Sequence, residues 1–286
     1  GLIHKNKKEL PVSRKILEEL PVPDFDDFFA DADKNGLTRE PEWEKRAFLP
    51  FESARGCWKA KKEHCRFCGA TSNNLSFRVK SADKTLQTLK EYLTRYPLRR
   101  FHATDPNFSP GFFRTLLPRL KPELGKQGIS LFYEVTSGLD RKKVKALADA
   151  GIIVVQAGIE SMNTRLLKLM NKSVSALQNV FFLKCCAEYG VVPLWNFLIR
   201  VPGEQRKDYK TMEKLIPLIS HLRPPIYEPS PIQCHRFSPY FEKAGTWAEN
   251  IRPQFWYKGL FPSNRINLSR VAYYFDADWK DVLPEK

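Results

Sequence analysis

Arg55-Gly56-Cys57-Trp58-Lys59-Ala60-Lys61-Lys62-Glu63-His64-Cys65-Arg66-Phe67-Cys68-Gly69 gathers three of the chain's six cysteines into one short stretch. Cys65 and Cys68 stand two residues apart, a spacing that lets two thiolates reach one metal centre from a single turn. Seven residues separate Cys57 from Cys65, so a loop must fold back to bring the first thiolate in. Three thiolates are one short of the four that close a structural zinc or a complete iron–sulfur site. Two readings are open. A zinc knuckle would take His64 or His235 as fourth ligand. A cubane on three thiolates would leave one iron free for a substrate or cofactor.

Outward from this stretch, the 286 residues suffice for one large α/β barrel or two smaller domains. No apolar run approaches the length of a membrane span, so no membrane partner is expected. Six cysteines crowded around a ligand-like motif suit a reducing, cytoplasmic compartment better than a disulfide framework. Gly1 is not a natural start, and the chain is read as part of a longer protein. The net charge of +15 attracts anions generally. Its lysines and arginines are dispersed and no nucleic-acid motif accompanies them, so an acidic peptide or partner is favoured over nucleic acid.

Strand-like and helical stretches alternate from Phe48 onward. Strands are expected at Phe48–Ser53, Arg100–Thr104, Ile129–Thr136, Ile152–Ile159, Val191–Ile199 and Ile232–Phe237. Helices are expected at Asp83–Tyr96, Pro110–Leu120, Arg141–Ala150, Ser173–Tyr189 and Gln205–Ser220, from apolar spacing and glycine stops. Such repetition predicts parallel strands with right-handed crossovers in an α/β fold, a partial (β/α)6 barrel. Chemistry gathers at the carboxyl ends of such strands, and the cysteine loop follows the first one. Residues 48–245 are the expected core. Residues 246–286 are a C-terminal extension whose tryptophans and tyrosines serve packing.

Residues 1–47 read as a linker, with Leu20-Pro21-Val22-Pro23-Asp24-Phe25-Asp26 forced extended by its prolines. Within it, Asp31–Glu42 matches the EF-hand pattern. Thr38 and Pro41 depart from that pattern and no second hand follows, so the stretch is read as a solvated acidic loop.

Arg55-Gly56-Cys57-Trp58 and His64-Cys65-Arg66-Phe67-Cys68-Gly69 resemble the cluster loop of radical S-adenosylmethionine (SAM) enzymes, with Phe67 in the usual aromatic place. The seven-residue gap departs from the commonest three-residue spacing. It is similar instead to the cobalamin-type subgroup that matures ribosomally made, bacteriocin-type peptides (RiPP maturation). The Leu20–Asp26 stretch resembles the connector that joins a cobalamin-binding domain to the barrel in that subgroup. This chain has no Asp-x-His-x-x-Gly cobalamin motif. Further likeness comes from Leu116–Leu120, Ala176–Val180 and Arg236–Phe241.

The resemblance implies a radical SAM barrel with a [4Fe-4S] cluster on Cys57, Cys65 and Cys68, beside which Phe67 would lie. Asp105 and Asn107 stand where relatives hold the methionine amine of SAM, although an Asp-Pro turn accounts for them equally. Glu134 is a charge within an apolar strand, costly without a partner, and a glutamate here faces the cofactor in relatives. Gln156-Ala157-Gly158-Ile159-Glu160-Ser161 resembles a motif whose glycine admits the cofactor, with Gln156, Glu160 and Ser161 beside it. Glu160 equally suits a cap for the helix that follows. Arg200-Val201-Pro202-Gly203-Glu204 resembles a turn whose backbone, at Val201, lies beside the adenine, with Arg200 in place of a usual glycine.

The implied chemistry is reductive cleavage of SAM, then hydrogen abstraction from an unactivated carbon of a precursor peptide. Cobalamin, held mainly by a domain outside this chain, would carry a methyl group. A flavodoxin or ferredoxin would supply electrons. No acid–base or nucleophilic catalytic set is recognisable.

Overall fold

The computed structural model describes residues 14–70, 76–262 and 265–284, with the backbone alone for 14–16; residues 1–13 of the expected linker lie outside this range. Five strands pair in chain order, all parallel: Leu49–Phe51, Arg100–Ala103, Ser130–Val135, Val154–Ala157 and Val192–Leu194. Helices Ala82–Arg95, Leu117–Leu124, Arg141–Asp149 and Ala176–Tyr189 lie between successive strands in the chain. The α/β class and the parallel sheet are as expected.

Alternation along the strands explains the layering. Leu49, Phe51, Phe101, Ala103, Leu131, Tyr133, Val135, Val155 and Ala157 are at most 6% exposed. They form one hydrophobic core with Leu86, Leu89 and Tyr92 of the first helix, Leu120 and Leu124 of the second, and Leu147 and Phe182 of the later ones. Each large apolar side chain buried this way is worth about 1.5–3 kcal/mol. Their neighbours His102, Phe132, Glu134, Val154 and Gln156 take the opposite face and are only half-buried. Local signals set the helix ends. Ser81 accepts from the Lys84 N–H, while Ser175 and Gln178 form a reciprocal cap. Gly190, at φ 69°, ends the helix that Ser175 begins.

Four elements differ from expectation. The helix expected over Pro110–Leu120 is split into Phe112–Thr115 and Leu117–Leu124. Pro118 lacks the N–H that would bond the preceding turn. The strand expected over Val191–Ile199 breaks after Leu194, and its second part, Leu198–Ile199, pairs in parallel with Ser230–Pro231. Ser230–Pro231 therefore stands where Ile232–Phe237 was expected as a last barrel strand. Cys234–His235 instead joins an antiparallel sheet with Tyr274–Trp279, which also pairs with Ala248–Pro253. Finally, Asp31 and Asp33 lie on the helix Asp26–Lys34, not in a loop. Residues two apart on a helix point about 200° away from each other, so the EF-hand arrangement of ligands is not formed.

Both flanking segments pack on the core. The Phe25 N–H donates to the Tyr96 hydroxyl at 2.8 Å, and Arg95 pairs with Asp24 and Asp26 at 2.6 and 2.9 Å. At the other end, Trp247 and Trp279 pack against the buried Tyr240 ring.

Candidate functional site

The cysteine loop leaves the first strand through Gly56, whose φ is 82° and whose Cβ, if present, would meet the Ser76 carbonyl oxygen at 2.4 Å. Only glycine fits both constraints. Beyond it, Trp58 Nε1 donates to the Phe108 carbonyl at 3.1 Å and a short helix spans Ala60–Glu63. Arg66 clamps the far side of the loop. Its N–H donates to Met170 O at 3.0 Å and its Nη1 to Leu169 O at 2.7 Å, while its guanidinium lies 4.3 Å from the Trp247 ring.

A cavity of about 410 Å³ opens at the carboxyl ends of the strands, and Cys57, Cys65 and Cys68 all line it. Phe67, Asn107, Glu134, Gln156 and Glu160 line the same cavity. Burial, reinforced by the negative charges of Glu160 and Asp105, pushes the Glu134 carboxyl up to about 7. Burial also pushes the Cys68 thiol up to about 12 and raises that of Cys65. Metal binding at these cysteines would thus release protons.

Three expected contacts do not reach the cavity. Asp105 is 1% exposed, and both its oxygens accept from Ser53, one from the N–H at 2.8 Å and one from the hydroxyl. It ties the end of the first strand to the end of the second, and burial raises its carboxyl to about 6. Ser161 is fully buried, its hydroxyl accepting from the Asn163 N–H at 3.1 Å and standing 3.5 Å from the Met212 sulfur. Val201 is fully buried as well, its N–H donating to Glu204 at 3.0 Å inside the turn. The helix after Glu160 is capped by Asn163, which accepts from Arg165 and Leu166.

Glu160 has another role. Its φ of 61° places a non-glycine residue in the left-handed region, a strain of order 1 kcal/mol or more that neighbouring contacts must hold. Its carboxylate pairs with Lys172 at 3.0 Å. Gly158 leaves room for this lysine: a Cβ there would stand 3.0 Å from the ammonium. Gly158 also lines the cavity, where the sequence pattern has a glycine that admits a cofactor. Lys172 and Lys59 both line the cavity. Neither stood out beforehand, Lys172 because nothing in Leu169–Ser173 marks it as inward-facing.

The donor set fits a cluster with a further ligand beside it. Three thiols share the cavity, and His64 is already engaged, its Nε2 lying 2.8 Å from Cys68 O. His235 also lines the cavity, with its Nε2 3.2 Å from Gln233 Oε1. Among the described residues, no three His, Cys, Asp or Glu side chains are grouped to hold one metal ion. Thiolates that each take a different iron of a cubane need less convergence than thiolates on one zinc. Asn107 Nδ2 faces Cys57 Sγ at 3.8 Å, and its carbonyl oxygen is buried without a partner, an acceptor open to a ligand's N–H or O–H.

Comparison with known proteins bears on the family and the fold. The chain is 24% identical over 217 residues to the "uncharacterized methyltransferase PH0819" of Pyrococcus horikoshii, covering 73% of this chain and 43% of that relative's length. It resembles the solved structure of OxsB, a cobalamin-dependent SAM radical enzyme, with TM-score 0.62 and 16% identity over 91% of this chain and 41% of that one. It also resembles the radical SAM methyltransferase TsrM from Kitasatospora setae, solved with tryptophan substrate and a SAM analogue, with TM-score 0.60 and 12% identity over 83% of this chain and 49% of that one. At these identities the structural likeness is one of fold. The Radical SAM superfamily matches residues 51–216, from the first strand through the last long helix. With the cysteine loop, the parallel sheet and this match in agreement, the chain belongs to the radical SAM superfamily.

Proposed function

We propose that residues 48–245 are the SAM-cleaving core of a cobalamin-dependent methyltransferase that modifies a ribosomally made peptide. In this reading residues 1–47 link the core to a cobalamin-binding domain of a longer chain, and residues 246–286 are an extension packed on the core. The observation that carries the reading is one cavity with three cysteines on its loop wall and Glu134, Gln156 and Asn107 on its strand wall. The seven-residue gap between Cys57 and Cys65 and the Leu20–Asp26 connector support the peptide-maturation subgroup. The relatives named above as methyltransferase or cobalamin-dependent support the methyl-transfer part.

Cys57, Cys65 and Cys68 would hold a [4Fe-4S] cluster, which with SAM supplies reductive cleavage of a carbon–sulfur bond. The chain's own residues bind, orient and exclude water. The unpartnered Asn107 oxygen would accept from the amine of SAM. Glu134, half-protonated near neutrality, would bond a ribose hydroxyl or an amine, and Gln156 would sit beside it on the adjacent strand. The loop wall, clamped by Arg66, would keep the thiolates at a fixed distance from these groups. The positive surface suits an acidic leader peptide, and a flavodoxin or ferredoxin would deliver electrons.

The test is anaerobic turnover of the full-length protein with cobalamin, precursor peptide and methyl-labelled SAM, read by mass spectrometry. The expected result is a mass increase of one labelled methyl group on the peptide. Epimerised or crosslinked peptide without label would overturn the methyl transfer, and label on RNA or a small molecule would overturn the substrate class.

A further inference from the structure

The Lys172–Glu160 pair is a deeply buried ion pair at the cavity. Its side chains are 6% and 12% exposed, and its atoms lie 3.0 Å apart. Lys172 also lies 5.9 Å from the centre of the Phe67 ring, on the loop between Cys65 and Cys68. The loop is fixed against the residues beside it, since the Arg66 N–H donates to Met170 O at 3.0 Å and Asn171 Nδ2 to His64 O at 2.9 Å. The ammonium is therefore held at the cysteine wall by neighbours on both sides. Lys172 and Glu160 line the same cavity as Cys57, Cys65 and Cys68.

We infer that Lys172 sets the reduction potential of the cluster and that Glu160 trims its effect, so that the pair is a redox-tuning device and not a mere structural bridge. The inference rests on the cluster reading proposed above. One-electron reduction by a low-potential donor, such as flavodoxin or dithionite, adds one negative charge to the cluster. Net charge, hydrogen bonding and solvent exposure around a cluster set its potential. A fixed cation beside the thiolates favours the reduced state, and a fixed anion opposes it. Screening is weak here because both side chains are out of water. Lys172, held 5.9 Å from the Phe67 ring, and Glu160, paired with it at 3.0 Å, therefore act on the loop with opposite signs. The left-handed backbone at Glu160 and the missing side chain at Gly158 both serve this placement.

Removing each partner should move the potential in opposite directions, which a general loosening of the fold would not do. The test is an EPR-monitored redox titration of cluster-loaded wild type, Lys172→Gln, Lys172→Arg and Glu160→Gln, first without SAM and then with it. Iron and sulfide are assayed in each sample. Lys172→Gln should disfavour the reduced state about tenfold, a shift of about 59 mV for one electron. Glu160→Gln should favour it, and Lys172→Arg should stay near wild type. An intact cluster in Lys172→Gln with the wild-type potential would overturn the inference, even if SAM affinity fell, because Lys172 would then be a cofactor contact only. Shifts of the same sign in Lys172→Gln and Glu160→Gln would overturn it too. Failure of the wild type to take up iron and sulfide would instead sink the cluster reading, and this inference with it.

Discussion

The two faces of the strand Ser130–Val135 are made from the same six residues and have opposite fates. Leu131, Tyr133 and Val135 are sealed among the helices, at most 4% exposed, while Phe132 and Glu134 are only half-buried on the other face. The sealed face contains no carboxylate, and the other carries Glu134, level with Gln156 on the adjacent strand. One face thus holds the fold and the other offers chemistry. The difference teaches that a parallel sheet can be over-determined on one side and still leave charged groups uncompensated on the other. Burial, reinforced by the charges of Glu160 and Asp105, is what pushes Glu134 up to about 7, a cost borne by the stability of the sealed face.

The largest expected effect separates the two faces most cleanly. Cys65→Ala or Cys68→Ala should abolish the cluster absorbance and SAM cleavage while the cluster-free protein melts near the wild-type temperature. A normal cluster in either variant would break the assignment of the loop. Next, Phe101→Ala on the sealed face should destabilise the protein by about 3–5 kcal/mol. Urea denaturation measures this, and cluster binding should persist at low urea. A loss below 1 kcal/mol would mean that this face is not the keystone of the fold.

Glu134→Gln should act in the opposite sense on stability. The Glu134 carboxyl has its folded value raised from 4.5 to about 7, chiefly by burial. Its contribution is therefore complete below 4.5 and is lost as pH rises through 7. At one pKa unit per 1.36 kcal/mol, the cluster-free variant should be more stable than wild type by about 3 kcal/mol at pH 8, with little difference at pH 4. Urea melts at both pH values check this, and equal stability at pH 8 would contradict the burial argument. The same variant should bind SAM more weakly by about 1.5–3 kcal/mol, read by calorimetry on the cluster-loaded form. Smallest is Asp105→Asn, in which the weakened bonding to Ser53 and the relieved burial cost of the carboxylate oppose each other in stability, and which should leave SAM affinity unchanged. A selective loss of SAM affinity would return Asp105 to the cavity.

By itself the sequence determined the elements that rest on short-range physics. Apolar spacing over Leu86, Leu89 and Tyr92 marked a helix face, and the alternation of strand and helix implied parallel pairing. The spacing of Cys57, Cys65 and Cys68 marked one loop as the candidate chemical centre. Helix ends at Ser81, Ser175 and Gly190 follow from local hydrogen bonding and a left-handed stop. Pro118 could have signalled the split helix, since its missing N–H is a local property too. Only the tertiary structure decided which polar residues at the strand ends turn inward. That choice depends on single backbone angles and on partners far away in the chain. Ser53 captures Asp105 from 52 residues away, so a carboxylate in the right place by motif faces away from the cavity. At Glu160 a φ of 61° swings a carboxylate toward Lys172, twelve residues on, and closes the ion pair. Lys172 carries no motif at all. It enters the cavity because the chain between two helices passes beside the cysteine loop, a fact of packing that no periodicity encodes.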